Sequence, residues 1–171
     1  TRELIRMIRE SGIVFGELEA EAVDAPFSAA TGAGVIFGVS GGVTEAVLRR
    51  LASDKSAKAL SAMAFAGVRG MEGLKEARVP YGERELRIAV VCGLGNAAAL
   101  IERIKAGEHY DFVEVMACPG GCVAGAGQPY VPSAQREKRA GGLYAADKLS
   151  PLKRSEENPL VMGLYSGLLK G

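Results

Sequence analysis

Two cysteines four positions apart lie in a glycine-rich stretch, and their spacing is the first candidate for chemistry. The stretch reads EVMACPGGCVAGAGQP and contains Cys118 and Cys122. Thiolates bind soft metals and iron–sulfur clusters, and glycines let the backbone approach inorganic sulfide closely. Two ligands do not define a metal site, so an inert or disulfide-forming pair explains the spacing equally well.

The third cysteine and the single histidine limit the other sites that the chain can build. Cys92 lies among the apolar residues of positions 89–94, which predicts a small core residue rather than a ligand. Three cysteines and one histidine are too few for a disulfide framework, two zinc sites or a four-thiolate cluster held by this chain alone. A cluster at Cys118 and Cys122 therefore needs further ligands.

A second loop matches the nucleophile-elbow pattern of serine hydrolases. Residues 38–42 read GVSGG, and Asp54 and His109 follow Ser40 in an order that a catalytic triad uses. His109 begins a predicted strand, however, which is the wrong end of the sheet for a triad, and the chain is short for such a hydrolase. We therefore expect an exposed His109 and predict no catalytic residue in this chain.

A third loop fits the dinucleotide fingerprint G-x-G-x-x-A, since residues 93–98 read GLGNAA after an apolar run. The fingerprint also needs an acidic residue at the end of the next strand to bind the ribose. The only acid nearby, Glu114, lies inside that strand. A tight turn in which Gly95 permits close packing is the favoured interpretation, and dinucleotide binding is the weaker alternative.

The elements that position these loops are predicted from hydrophobic spacing. Apolar runs predict strands at residues 35–37, 88–92 and 112–116, with antiparallel strands across 63–87. Helices are predicted at the start of the chain, after residue 42, after the 93–95 turn, and over 133–149 and 158–169. The result is one α/β lobe over residues 1–171, a mixed twisted sheet with flanking helices. Its glycine and cysteine loops should share one edge and face a common surface.

The composition of the chain restricts the kinds of partner that it can bind. The net charge of +1 and an aromatic content of 6% without Trp predict no nucleic-acid or anionic-membrane surface. The longest uncharged stretch, residues 88–101, is too short to span a bilayer, and the charged start is no signal peptide. We expect a cytoplasmic chain that is cut from something longer, since it starts at Thr1.

The cysteine stretch resembles the last of the three cysteine motifs of the iron-only (FeFe) hydrogenases. Four further stretches resemble segments of the same catalytic domain in the same order: TRELIRMIRESGI, IFGVSGGVTEAVLRR, AVVCGLGNAAALIERI and LKRSEENPLVMGLYSGLL. The resemblance covers nearly the whole chain. It implies the C-terminal lobe of the large-subunit catalytic domain, whose activity is the reversible reduction of two protons to dihydrogen.

The resemblance also implies a cofactor, a four-iron cubane joined through one cysteine to a two-iron centre. Cys118 matches the third cubane ligand, and Cys122 matches the cysteine that bridges to the two-iron centre. Met116 matches a methionine packed beside that centre.

The glycine loop matches the pocket of the two-iron centre. Gly41 and Gly42 match glycines that line this pocket, where a side chain would collide with diatomic ligands. Ser40 is then a neighbouring pocket residue rather than a nucleophile.

The sequence also departs from the family pattern. Thr44, Ala124 and Ala126 stand where many relatives have Met, Asn and Gly. The first two cysteine motifs, with their cubane ligands, a proton-relay cysteine and a cyanide-binding lysine, are absent. We therefore expect this chain alone to be inactive and to bind no stable cofactor.

The expected partners are the upstream lobe and an electron carrier such as ferredoxin. An apolar lobe face would favour self-association. A non-catalytic hydrogenase-like carrier or sensor of iron–sulfur clusters is the main alternative function.

Overall fold

The computed structural model describes residues 1–22, 24, 30–53, 73–81 and 83–170. Within them, the helices are α1 (Arg2–Glu10), α2 (Gly32–Val35), α3 (Gly42–Ser53), α4 (Leu94–Lys105), α5 (Ser133–Leu149) and α6 (Pro159–Ser166). The strands are β1 (Leu74–Tyr81), β2 (Arg84–Cys92) and β3 (Phe112–Met116). Short 3-10 turns occur at Phe15–Glu17, Ile36–Gly38, Cys122–Ala124 and Ser155–Glu157.

The sheet of the described residues has the order β1-β2-β3 and is mixed, which confirms the predicted fold class. β1 pairs with β2 antiparallel, whereas β2 pairs with β3 in parallel through α4. The predicted parallel unit from residue 88 to 116 is therefore confirmed. The strand predicted within residues 63–70 lies outside the described residues.

Helices cover both faces of the sheet, and β2 is consequently apolar along its whole second half. On one face, Ile88 and Val90 pack with Leu48 of α3. On the other face, Ala89 and Val91 pack with the helix α4. This burial on both faces explains why residues 88–92 form an unbroken apolar run instead of an alternating one.

The strand predicted at residues 35–37 is wrong, because the segment is helical. Thr31 caps α2 by accepting a hydrogen bond from the amide of Gly34 at 3.1 Å, and the 3-10 turn continues directly from this helix. Ile36 is fully buried in a third cluster with Val39 and Val123. A run of three apolar residues cannot distinguish a buried strand from a buried helical turn.

A buried ion pair joins the long helix α5 to α3. The Arg49 guanidinium donates to both carboxylate oxygens of Asp147, at 2.8 and 2.7 Å, and to Glu45 at 2.6 Å. The side chains of Arg49 and Asp147 are only 11% and 9% exposed. A Cβ at Gly32 would lie 2.0 Å from an Asp147 carboxylate oxygen, so a larger residue there would displace this carboxylate from its place beside Arg49.

The first helix presents an apolar face that the described residues do not cover. None of the residues of α1 is buried, and Leu4 and Phe15 are 58% and 69% exposed. An open cleft of about 440 Å³ runs along this face and is lined by Leu4, Ile5, Ile8, Ile13 and Phe15, together with Thr1 and Arg9. Self-association through such a face stays a prediction.

In the described part of the chain, no helix is long and apolar enough to cross a membrane.

A surface cluster of charged groups predicts how stability falls in acid. Arg103 and Arg87 donate to the Glu108 carboxylate and hold its pKa down at about 2, against an ordinary 4.5. A lowered pKa in the folded state stabilises the fold above pH 4.5, and this contribution is lost as the pH falls towards 2. Thermal melting between pH 2 and 7 should therefore show a smaller acid-dependent decrease in Tm for Glu108→Gln.

The control for this measurement is Glu102→Gln, which removes a carboxylate that pairs with Lys105 on the exposed face of α4. Its melting temperature should follow the wild-type dependence on pH. Superimposable curves for wild type and Glu108→Gln would contradict the prediction.

Candidate functional site

The glycine loop (residues 38–42) and the cysteine loop (residues 116–126) lie side by side at the carboxyl end of β3. Gly121 has φ +85°, and a Cβ on it would lie 2.8 Å from both the carbonyl oxygen of Gly38 and the amide nitrogen of Ser40. The Ser40 amide also donates to the carbonyl of Gly120 at 3.4 Å. The two loops thus meet backbone to backbone, and only glycine permits this approach at position 121. The sequence analysis predicted that they share one edge, but from a strand at residues 35–37 that is helical in the structure.

The cysteine loop presents two free thiols. Cys118 is half-buried and Cys122 is exposed, where it begins a 3-10 turn. A Cβ on Gly125 would lie 3.6 Å from the Cys118 sulfur, so the loop folds back over this thiol. Cys92 is 1% exposed and lies in the core rather than in the cysteine loop, which confirms its predicted core role.

The positions of Ser40 and His109 exclude the serine-hydrolase arrangement, whose third member, Asp54, lies outside the described residues. Ser40 is 1% exposed, and its Oγ lies 2.6 Å from the Cys92 sulfur. The His109 side chain is 80% exposed and lies beside Asp111 at 3.4 Å. The expectation of an exposed His109 is therefore confirmed.

Gly41 and Gly42 of the glycine loop are buried, and the surrounding backbone explains why both are glycine. A Cβ at Gly42 would lie 1.8 Å from the carbonyl oxygen of Ile36, and Gly41 has φ +87°. Both positions therefore need glycine for the fold itself, before any ligand is considered. That Gly41 and Gly42 line a cofactor pocket stays a prediction.

The turn before α4 uses its glycines differently from the sequence prediction. Close packing at Gly95 is wrong, since a Cβ there would meet no atom within 4 Å. Gly93 is the constrained residue: it has φ +86°, and its amide donates to the carbonyl of Met116 at 2.7 Å. This bond fastens the start of α4 to the end of β3.

A buried carboxylate that the sequence analysis did not assign joins the two loops. Glu114 is 5% exposed and accepts hydrogen bonds from the amides of Gly41 and Thr44 and from the Thr44 hydroxyl, each at 2.7 Å. The signal for it was a single acid in the otherwise apolar strand FVEVM. Because this carboxylate faces α3 and is fully engaged, it does not supply the acid of a dinucleotide site.

Arg139 of α5 is a second residue that the sequence analysis missed. Its guanidinium donates to the carbonyls of Val123 and Pro129, at 3.2 and 3.1 Å. Val123 is buried against Ile36 and Val39, so the end of the cysteine loop is fixed on both sides. The geometry of this loop thus depends on a helix that follows it in the chain.

The donor set fits iron–sulfur chemistry in kind and supplies half of it in number. Cys118 and Cys122 offer two sulfur donors on a glycine-rich loop, whereas a cubane takes four cysteine ligands. Across the described ranges, no group of three or more His, Cys, Asp or Glu residues is placed to bind a metal ion. The remaining ligands would have to come from residues other than those described.

Comparison with known families decides the assignment. Residues 1–126 match the family model described as iron only hydrogenase large subunit, C-terminal domain. The chain belongs to this hydrogenase family. Residues 133–171, which include α5 and α6, match a separate model described as iron hydrogenase small subunit. The boundary between the two matches falls between the cysteine loop and α5.

Individual hydrogenases are similar along nearly the whole chain. The NADP-reducing hydrogenase subunit HndD of Solidesulfovibrio fructosivorans is 46% identical over 99% of this chain and 29% of its own length. A solved variant of the FeFe-hydrogenase HydA1 of Chlamydomonas reinhardtii has a TM-score of 0.67 and 36% identity over 98% of this chain and 50% of that one. The chain therefore spans about a third of such curated relatives and half of the solved structure.

A relative with a different name also aligns over the full chain. The cytosolic iron-sulfur assembly component 3 of Mus musculus is 30% identical over 100% of this chain and 37% of its own length. The chain is thus similar both to proteins that are named as hydrogenases and to one that is named for iron–sulfur assembly.

Proposed function

We propose that this chain forms part of the catalytic site of an iron-only hydrogenase, which interconverts two protons and two electrons with dihydrogen. The observation that carries the proposal is the contact between the cysteine loop, with free thiols at Cys118 and Cys122, and the buried glycine loop. Similarity to HndD and to HydA1 supports it.

In this proposal, Cys118 would hold the four-iron cubane, and Cys122 would hold the cubane together with the two-iron centre. When bound, this cofactor would supply electron transfer and the activation of hydrogen. Met116 lies two residues before Cys118 on the same strand end and contributes a soft thioether next to the cofactor. Gly41 and Gly42 would line the pocket of the two-iron centre, and Ser40 would be a neighbouring pocket residue.

The remaining ligands would come from residues other than these 171, so this chain alone is expected to be inactive. Its partners are the rest of the hydrogenase catalytic domain and an electron carrier such as ferredoxin. The cytoplasmic location stays a prediction, since similar proteins are named both for the cytosol and for the periplasm.

Anaerobic reconstitution with iron and sulfide tests the cysteine assignment. The natural protein that carries this chain should take up the cubane, whereas residues 1–171 alone should hold no stable stoichiometric cluster, because half of the ligands are absent. In the natural protein, Cys118→Ser and Cys122→Ser should each reduce cubane occupancy several-fold, measured by iron content and electron paramagnetic resonance.

Cys92→Ala is the matched control, since Cys92 is the buried third cysteine. Its cluster occupancy should equal that of wild type. Full occupancy in both Cys118→Ser and Cys122→Ser would overturn the proposed function, and a full four-iron signal from residues 1–171 alone would contradict the incomplete ligand set.

A second candidate is a non-catalytic carrier or sensor of iron–sulfur clusters. The full-length similarity to cytosolic iron-sulfur assembly component 3 favours it. Upstream sequence with a proton-relay cysteine and a cyanide-binding lysine supports the enzyme. Hydrogen evolution by the natural protein with its cluster bound also supports the enzyme. Cluster transfer to an apo-acceptor without hydrogen evolution supports the carrier.

A further inference from the structure

The buried Glu114 carboxylate is unusual because its three hydrogen-bond donors among the described residues carry no formal charge. Both oxygens face fixed backbone amides, Oε1 that of Gly41 and Oε2 that of Thr44, and Oε2 also accepts from the Thr44 hydroxyl. Two of the three donors belong to Thr44 in the first turn of α3, where the helix dipole favours a negative charge. No Lys or Arg among the described residues forms a salt bridge with Glu114.

An ionised Glu114 accepts all three hydrogen bonds without bringing two donors face to face. A glutamine side chain would turn its NH₂ group towards the amide of either Gly41 or Thr44, so that two donors would face each other. The ionised carboxylate places a negative charge in a buried position where water screens it poorly.

The charge lies between the two elements of the proposed cofactor site. Glu114 precedes Met116 by two residues and Cys118 by four, which places its Cα at most about 14 Å from that of Cys118. Its donors flank Gly42 in the glycine loop. One side chain thus connects the strand that leads into the cysteines with the loop on which they pack.

We propose that Glu114 is a positioning residue whose fixed negative charge also lowers the reduction potential of a cluster bound by Cys118 and Cys122. The inference rests on the proposed function. Adding an electron to a cluster near a buried anion is unfavourable, so the oxidised form is stabilised. The Thr44 hydroxyl opposes this effect, because its dipole partly offsets the charge.

Two substitutions separate the electrostatic role from a structural one. In the natural protein reconstituted with iron and sulfide, Glu114→Gln removes the charge and should make the midpoint potential of the cluster more positive. Thr44→Val keeps the charge but removes the offsetting hydroxyl, and it should make the potential more negative. A purely structural role gives shifts of the same sign, or loss of occupancy with an unchanged potential.

The potential is measured by redox titration monitored by electron paramagnetic resonance, with Leu100→Ala as a control. Leu100 is buried in the hydrophobic core on the opposite face of the sheet. This variant therefore lowers stability and should leave the midpoint potential of the iron–sulfur cluster unchanged. Shifts of opposite sign for Glu114→Gln and Thr44→Val support the inference. Unchanged potentials, or shifts of the same sign, overturn it.

Two further outcomes are decisive. If Glu114→Gln fails to fold or to hold a cluster, the midpoint potential of Thr44→Val alone tests the inference. A potential in Thr44→Val that is equal to or above that of wild type overturns it. A wild-type protein that takes up no cluster overturns the proposed function, and this inference falls with it.

Discussion

Replacing Gly42 with alanine is expected to destabilise the protein by about 3 kcal/mol or more, enough to unfold a marginally stable domain. The added Cβ would lie 1.8 Å from the carbonyl oxygen of Ile36 and 2.6 Å from its carbonyl carbon. Real Cβ atoms do not approach backbone this closely, and backbone cannot rotate away as a flexible side chain can. The 3-10 turn and the start of α3 would have to separate, which also removes Glu114 from its donors. Chemical denaturation followed by circular dichroism measures the loss.

Gly95→Ala is the matched control, since it makes the same substitution in the first turn of another helix. No atom lies within 4 Å of the added Cβ, so only the difference in helix propensity remains. Alanine should stabilise the protein there by up to about 1 kcal/mol. Equal effects of the two substitutions would show that contact with Ile36 does not determine the role of Gly42.

Replacing Arg49 with methionine should cost about 3–5 kcal/mol, because it leaves buried carboxylates without their guanidinium. Glu45 is 0% exposed and Asp147 is 9% exposed, and both accept from Arg49 at 2.8 Å or less. Asp147→Asn should cost less, since Arg49 keeps its bond to Glu45. Urea denaturation of the single and double variants gives the coupling energy between Arg49 and Asp147.

Arg78→Met provides the control for an ion pair of the ordinary exposed kind. The side chains of Arg78 and Glu85 are 69% and 51% exposed and lie 3.3 Å apart. Removing this pair should change stability by less than about 1 kcal/mol. A cost for Arg49→Met no larger than that for Arg78→Met would contradict the assignment of a buried, stabilising network.

Elements with a clear period were predictable, and contacts between distant backbone atoms were not. The strand at 112–116 and the helix at 133–149 agree with their predicted bounds, because each has flanking breakers and enough length. The glycine and cysteine loops lie together as predicted, although the strand at residues 35–37 on which that prediction rested is helical. The roles of Glu114 and Gly42 depend instead on amides and a carbonyl that meet only after folding. Residue type gives no information about such partners.

The segment 133–171 supplies the guanidinium of Arg139 to the cysteine loop and the carboxylate of Asp147 to α3. Within one chain, these contacts form at the high effective concentration that a short linker imposes. If the same two parts were encoded as separate subunits, the contacts would form by bimolecular association. The shape of the cysteine loop would then depend on subunit concentration, so that cluster insertion would be favoured only after the two gene products had met.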